Sequence, residues 1–180
     1  QEKRSPARIP LRAAWGAVLA EKIMLRLLVA DLAIVFAQGA RGVVFVFFVS
    51  FVAGMPELAS ALFLFQFIFG IVAAPLWQAI ARRIGKHRAL FSAELGQAIV
   101  NFALIFVGKG DYALLAGLTV AQGLMQGSGN LLVRAMLADV VDEHRLRTGV
   151  DRAALLFSAF SISGKAGTAL PIGIILPLIA

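Results

Sequence analysis

One lysine near the end of the sequence stands inside an apolar run and could carry specific chemistry. Lys165 lies thirteen residues beyond Arg152, among aliphatic, serine and glycine residues. At about 1.5 Å per helical residue this is about 20 Å along a helix, too deep for its ammonium group to reach water easily. Because charged side chains at such a depth in lipid are costly, they mark functional sites by default. We expect Lys165 to meet a solute or an anionic partner.

Other polar residues recur at helical spacing within the apolar runs. The four sets are Asp31, Gln38 and Arg41; Glu94, Gln97 and Asn101; Gln122, Gln126, Asn130 and Arg134; and Ser158, Ser161, Lys165 and Thr168. Steps of three, four or seven residues keep each set near one helix face. Since lipid rejects such faces, they are expected to surround a water-filled cavity. The alternative is hydrogen bonding that only holds the helices together.

The residues expected to line the cavity are Lys165, Arg41, Gln38, Glu94, Gln126 and Asn130. Glu94 and Asp31 are candidate partners for Lys165, as is an acid from outside this chain. Asp31 and Arg134 lie nearer the ends of their apolar runs. A charged side chain reaches water there at little cost, so a structural role is preferred for these two.

No catalytic constellation is present. The sequence has no HExxH, no GxSxG, no phosphate-binding loop and no cysteine, which excludes disulfides and thiolate sites. Asp139, Asp142 and Glu143 could suggest a metal, but the neighbouring Arg145 and Arg147 favour an ion-paired helix end. We therefore expect no enzyme activity, no metal site and no resident cofactor.

The composition is typical of a membrane protein. Hydrophobic residues make up 60% of the chain and charged residues 15%, and the mean hydropathy is +0.87. A soluble domain is nearer half apolar and a quarter charged. The net charge of +7 would suit nucleic acid, but the cations stand in clusters between apolar segments. This arrangement favours lipid as the partner and excludes a nucleic-acid surface.

The apolar runs predict an all-α membrane protein with five transmembrane helices, since about 20 residues cross a bilayer. The spans cover about residues 25–52, 57–77, 89–107, 112–141 and 153–180. Residues 1–24 are predicted to be a basic cytoplasmic linker or a helix on the membrane surface. Phenylalanines alternate from Phe63 to Phe69 as in a strand, but the length of the run favours a helix.

The charges orient these spans. If they alternate, the N-terminal segment and the loops around Arg82 and Arg147 share one side, and Lys109 is the only cation of the other. The positive-inside rule makes the basic side cytoplasmic. We therefore predict a multi-pass protein of the plasma or inner membrane with its N-terminus in the cytoplasm.

Two regions resemble a known transporter superfamily. Pro75-Leu76-Trp77, followed by residues 81–88, is similar to the loop signature of the major facilitator superfamily, with Arg82 where that signature has an acid. Residues 135–142 and Thr148-Gly149, with Leu155-Leu156-Phe157-Ser158 and Lys165 after them, resemble the glycoside-pentoside-hexuronide:cation symporters, the melibiose-permease-like family.

The resemblance runs from about residue 25 to the last residue and implies the C-terminal half of a twelve-span fold, from span seven to span eleven. The N-terminal half and the twelfth span would then be partners within the full-length protein. A coupling cation, H⁺ or Na⁺, would bind mainly in that other half. The motif residues on the cytoplasmic side would be Gly85, Lys86, Arg88, Asp139, Asp142, Thr148 and Gly149.

These observations predict a fragment of a secondary active transporter that moves a sugar or a related small polar solute with a cation by alternating access. A lipid or hydrophobic-solute carrier of the same fold is the alternative, favoured by the phenylalanines of the first two spans. A non-transporting membrane scaffold is the other, although it has no need for polar faces on four helices.

Single cysteines test the predicted orientation, because the natural chain contains none. We expect a membrane-impermeant maleimide to label Lys109→Cys in intact cells, and to label Lys86→Cys and Arg147→Cys only after permeabilisation. Labelling of Lys86→Cys from outside intact cells would contradict the orientation.

Overall fold

The computed structural model describes residue 16, residues 22–149 and residues 153–179, and every regular element within these ranges is helical. The helices are α1 (Lys22–Phe47), α2 (Pro56–Ile84), α3 (Lys86–Ala103), α4 (Tyr112–Gln126), α5 (Gly129–Thr148) and α6 (Ala153–Ile179). A π-helical turn, Phe48–Val52, extends α1, and a 3₁₀ turn, Leu104–Phe106, extends α3. Among the described residues, α1, α2, α3 and α6 are each long and apolar enough to cross a membrane. The expected all-α membrane fold is confirmed. The prediction for the N-terminal segment lies almost entirely outside the described residues.

The charged loops are shorter than expected. The basic stretch predicted as a loop from residue 78 continues α2 to Ile84, and Gly85 alone separates α2 from α3, with a φ of 89°. The acidic and basic stretch after Asp142 likewise continues α5 to Thr148 and ends at Gly149, whose φ is 70°. Arginine and glutamate are good helix formers, so these helices extend past their apolar parts. Glycine supplies the left-handed conformation at both ends.

The fourth predicted span is two helices. The helical pattern breaks at Gly127-Ser128, between α4 and α5. The amide of Ser128 bonds to the carbonyl of Met125 at 3.3 Å, three residues back, and leaves the Leu124 carbonyl without its usual helical donor. The indole nitrogen of Trp77 on α2 donates to that carbonyl at 2.6 Å. Glycine and serine are weak helix formers, and an outside donor stabilises the break.

Helices α1 and α6 pack side by side in the same direction. Contacts pair Leu28 with Ser163, Asp31 with Gly164, Val35 with Gly167 and Gly39 with Pro171. Residue numbers rise together along both helices, so the packing is parallel. Parallel packing requires an odd number of crossings between them, which α2, α3 and the broken pair α4–α5 provide. The five-span count remains a prediction, and this geometry agrees with it.

Two apolar clusters lie at opposite ends of the bundle. One joins the α1–α2 turn to the α3–α4 turn and contains Phe45, Val49, Met55, Val107 and Leu115. The other joins the start of α1 to α5 and the start of α6 and contains Met24, Leu27, Leu137, Val141 and Leu156. Between these two clusters, close contacts at glycines also hold the helices together.

Helices α2 and α4 make the closest such contact, at the glycines of α4. A Cβ atom added to Gly123 would lie 2.6 Å from the carbonyl oxygen of Gln66 and 2.8 Å from the Cβ of Phe69. A Cβ added to Gly117, six residues earlier on the same helix, would meet nothing within 4 Å. Small residues let membrane helices approach in this way.

These two glycines form a matched pair for mutation. Both gain helix propensity on becoming alanine, about 1 kcal/mol. At Gly123 the added methyl group meets backbone, and overpacking of this kind costs about 1–3 kcal/mol. We expect Gly123→Ala to lower the thermal unfolding temperature of the detergent-solubilised full-length protein and Gly117→Ala to leave it unchanged or raise it. Equal unfolding temperatures for the two variants would contradict the close packing.

Candidate functional site

A cavity of about 1310 Å³ opens along the middle of the bundle. Residues of α1, α2, α4, α5 and α6 line it, and no residue of α3 does. Its polar lining consists of Asp31, Gln38, Arg41, Gln126, Asn130, Arg134, Ser161, Lys165 and Thr168. Five of the six residues expected to line a cavity therefore lie on one wall, and the sixth, Glu94, does not.

The rest of the lining consists of glycines and apolar side chains, and one group of the apolar side chains lies toward one end. It includes Val43, Val46, Phe47, Phe63, Phe67, Ile172 and Leu176. The C-terminal ends of α1 and α6 and the N-terminal end of α2 lie together there, because α1 and α6 are parallel and a short turn joins α1 to α2. Phe63 and Phe67 make an edge-to-face ring contact with centroids 5.1 Å apart. The cavity thus has a polar part beside an aromatic and aliphatic part.

Two cations in the polar part are available to an anion. No carboxylate oxygen of the described residues lies within 4 Å of the Lys165 ammonium group. Arg41 has its Nε and Nη1 atoms buried without a hydrogen-bond partner. A guanidinium group with unused donors is suited to a phosphate or carboxylate group.

Glu94 lies behind the wall of the cavity. A Cβ atom added to Gly129 of α5 would lie 2.8 Å from the amide nitrogen of Gln38 and 3.1 Å from a carboxylate oxygen of Glu94. Gly129 thus leaves the gap through which Glu94, on α3, approaches α1. From there Glu94 attracts Arg41 electrostatically. In this place Glu94 is better suited to hold Arg41 in position than to contact a solute.

The polar face of α4 serves two purposes. Gln122 is fully buried and accepts a hydrogen bond from Gln66 at 2.6 Å, and its own amide donates to Asn101 at 2.9 Å. Gln97 donates to the same Asn101 oxygen at 3.2 Å. These amides hold α2, α3 and α4 together, which is the alternative considered for the polar sets. One turn later Gln126 faces the cavity.

From the sequence alone, Gln66 stood in a second span interpreted as lipid-facing, and Trp77 had no structural role assigned to it. Gln66 is 1% exposed and bonds to Gln122 across the α2–α4 contact. A single glutamine in an otherwise apolar span must find a partner, and that signal was available. The role of Trp77 depends on the helix break in α4–α5, which the apolar pattern does not show.

Asp31 is not at the surface. The sequence favoured a structural role in which its carboxylate reaches water, but the residue is 2% exposed and lies on the cavity wall. Gly164 and Gly167 let α6 pack closely over α1 at this level. In α1 alone this side of the Asp31 carboxyl group would be open, and the packing of α6 covers it.

Two of the motif residues predicted for the cytoplasmic side, Lys86 and Asp139, form an ion pair. Lys86 Nζ lies 2.7 Å and 2.6 Å from the two carboxylate oxygens of Asp139 and 3.2 Å from the carbonyl oxygen of Ala135. This pair ties the start of α3 to α5. Gly85 and Gly149 form the turns on this side, and Thr148 donates to the carbonyl oxygen of His144 at 2.7 Å. Arg88 and Asp142 are exposed.

The family and the relatives that match this chain are all described as transporters. The model of a family described as MFS/sugar transport protein matches residues 1–180. A curated sphingosine-1-phosphate transporter, MFSD2B of Xenopus tropicalis, is 29% identical over 132 residues, which are 72% of this chain and 25% of the relative. A sodium-dependent lysophosphatidylcholine symporter, 1-A of Danio rerio, is 25% identical over 176 residues, 96% of this chain and 32% of the relative. The chain thus spans a quarter to a third of these relatives' length. No solved structure matches it significantly.

Proposed function

Because this chain belongs to the MFS/sugar transport protein family of membrane transporters, we propose that it forms one wall of a carrier for a phosphate-bearing amphiphile with a single hydrocarbon tail. The observation that carries the proposal is the division of the cavity into a cationic polar part and an aromatic and aliphatic part. A hydrocarbon tail needs an apolar part of this extent, whereas a sugar does not.

The named solutes of the two relatives support this choice. Sphingosine-1-phosphate and lysophosphatidylcholine each join one long hydrocarbon chain to a phosphate group. The two proteins that carry those names share 29% and 25% of the aligned residues with this chain. The lipid carrier, considered first as an alternative, therefore takes precedence over the sugar symporter.

The phosphate group would bind between Lys165 and Arg41. Charge-assisted hydrogen bonds from ammonium and guanidinium groups are about twice as strong as neutral ones. Gln38, Gln126 and Asn130 line the same part of the cavity and offer uncharged donors and acceptors for the remainder of the headgroup. These side chains keep the headgroup solvated by protein while it crosses the lipid core.

The hydrocarbon tail would lie along the apolar part of the cavity, against the residues around Phe47, Phe67 and Ile172. Each methylene group removed from water contributes about 0.8 kcal/mol. The headgroup would lie in the polar part of the cavity, where it does not meet lipid.

Transport would proceed by alternating access, with this chain as the C-terminal half of the fold and the remainder of the protein as the opposite wall. The break at Gly127-Ser128 lies beside the cavity, where interrupted helices of transporters commonly lie. The Lys86–Asp139 ion pair would stiffen the cytoplasmic side. A coupling cation and a location in the plasma or inner membrane belong to the same proposal.

Cation-coupled symport of a sugar is the second candidate. The description of the matching family favours it, as do the amide groups of Gln38, Gln126 and Asn130, which suit sugar hydroxyl groups. The two candidates differ in whether a solute without a tail can compete for the site.

Uptake by the full-length protein in proteoliposomes tests the proposal. We expect labelled lysophosphatidylcholine to be taken up, unlabelled lysophosphatidylcholine to compete, and glycerophosphocholine or a disaccharide to compete poorly. Lys165→Ala should abolish uptake while the protein still inserts in normal amounts, because the phosphate loses its ammonium partner. Lys109→Ala is the matched control and should transport normally, since Lys109 is exposed in the α3–α4 turn.

The results that would contradict the proposal are specific. Strong competition by the disaccharide would favour the sugar candidate. Unchanged uptake by Lys165→Ala would refute the binding role of Lys165, and loss of that variant from the membrane would show that Lys165 acts in packing.

A further inference from the structure

The most unusual group of the bundle is a buried acid at the contact of two parallel helices. Asp31 on α1 is 2% exposed, and its Oδ2 atom is buried without a hydrogen-bond partner. That oxygen faces α6, where a Cβ atom added to Gly164 would lie 3.8 Å away. The Ser163 hydroxyl group lies beside the same carboxyl group and also donates to the Leu28 carbonyl at 3.2 Å.

The neighbouring charges do not satisfy this carboxyl group directly. Among the described residues, no cationic nitrogen lies within 4 Å of it. Arg134 of α5 attracts it from a greater distance. Lys165 of α6 lines the same cavity, as does Arg41 of α1 itself, and Glu94 of α3 lies behind the wall. An ionised carboxylate with an unpaired oxygen at this depth is costly, whereas its protonated form is neutral.

We infer that Asp31 is a proton-binding site, and that its proton is taken up and released as the carrier moves its solute; the second part rests on the proposed function. In this step a proton from water binds the carboxylate to give a carboxylic acid, and no other bond changes. The cavity that Asp31 lines supplies the path to water.

The surroundings suit a proton better than a metal cation. Hard cations take about six oxygen ligands. Asp31 offers one carboxyl group, and the Ser163 hydroxyl beside it, which donates to the Leu28 carbonyl, adds one more oxygen, fewer than such a cation takes. Within the described ranges, no three His, Cys, Asp or Glu residues gather closely enough to hold a metal ion.

Protonation of Asp31 would couple directly to the phosphate group. When Asp31 is ionised, it competes with a phosphate for the cations of the same cavity. When it is neutral, Arg41, Arg134 and Lys165 face the headgroup without that competitor. A phosphate-bearing solute therefore binds more tightly to the protonated carrier, and by linkage the bound solute favours protonation. The proton and the solute would then cross the membrane in the same direction, as a symport.

Infrared difference spectroscopy of the purified full-length protein tests the proton site without any solute. Other carboxyl groups, Glu94 among them, also give C=O bands when protonated, so the wild type is compared with Asp31→Asn. We expect one band that titrates apart from those of the exposed carboxyl groups, present at acidic and lost at alkaline pH, to be missing from Asp31→Asn. Glu57→Gln is the control, since Glu57 is exposed in the first turn of α2, and should keep the band. Identical titrating bands in the wild type and Asp31→Asn would overturn the inference.

Transport measurements test the coupling. We expect the wild-type dissociation constant for lysophosphatidylcholine to fall by about 5- to 150-fold between alkaline and acidic pH, the usual range for coupled sites. In proteoliposomes, Asp31→Asn should keep solute exchange but lose accumulation driven by a pH gradient, and Glu57→Gln should keep both.

Three results would decide against the coupling. They are pH-independent binding by the wild type, gradient-driven accumulation by Asp31→Asn, and accumulation that follows a sodium gradient and is lost in Asp31→Asn. If the wild type does not exchange lysophosphatidylcholine at all, the proposed function fails, and the infrared band still decides whether Asp31 binds a proton.

Discussion

A polar side chain inside a bilayer has no water to bond with, so it must find another part of the protein or a cavity. This constraint orders the whole bundle. The amides of Gln66, Gln122 and Asn101 satisfy one another and bind three helices together. Arg41 and Lys165 find no such full set of partners and lie on a cavity instead. The polar groups without a full set of protein partners are therefore the ones that can bind a solute.

Small residues at the helix contacts determine whether a polar side chain bonds to another helix or faces the cavity. Gly123 and Gly127 bring α4 against α2, which closes the amide network. Gly164 and Gly167 bring α6 against α1 in parallel and bury Asp31 between them. Gly129 opens the gap through which Glu94 approaches Gln38. Small residues commonly set helix contacts in membranes, where lipid tails give no hydrophobic drive to associate.

Composition and helical spacing were enough to predict an all-α membrane bundle and a polar cavity face that includes Lys165. Spacing could not divide the polar face of α4, because Gln122 and Gln126 repeat at the same interval and differ only in what stands opposite them. Asp31 was taken for a residue that reaches water, since its sequence position does not reveal the helix that covers it. The charged ends of α2 and α5 were taken for loops, although arginine and glutamate continue a helix beyond the lipid.

On α4, Gln122 bonds to the neighbouring helices and Gln126 faces the cavity. The reactivity of two cysteines at these positions, four residues apart, tests this difference. In the full-length protein, Gln126→Cys should react with a small water-soluble thiosulfonate, and lysophosphatidylcholine should slow the reaction. Gln122→Cys should stay unreactive, because position 122 is 0% exposed within the α2–α3–α4 contact. Equal reactivity at both positions, or no protection of Gln126→Cys by the lipid, would contradict it.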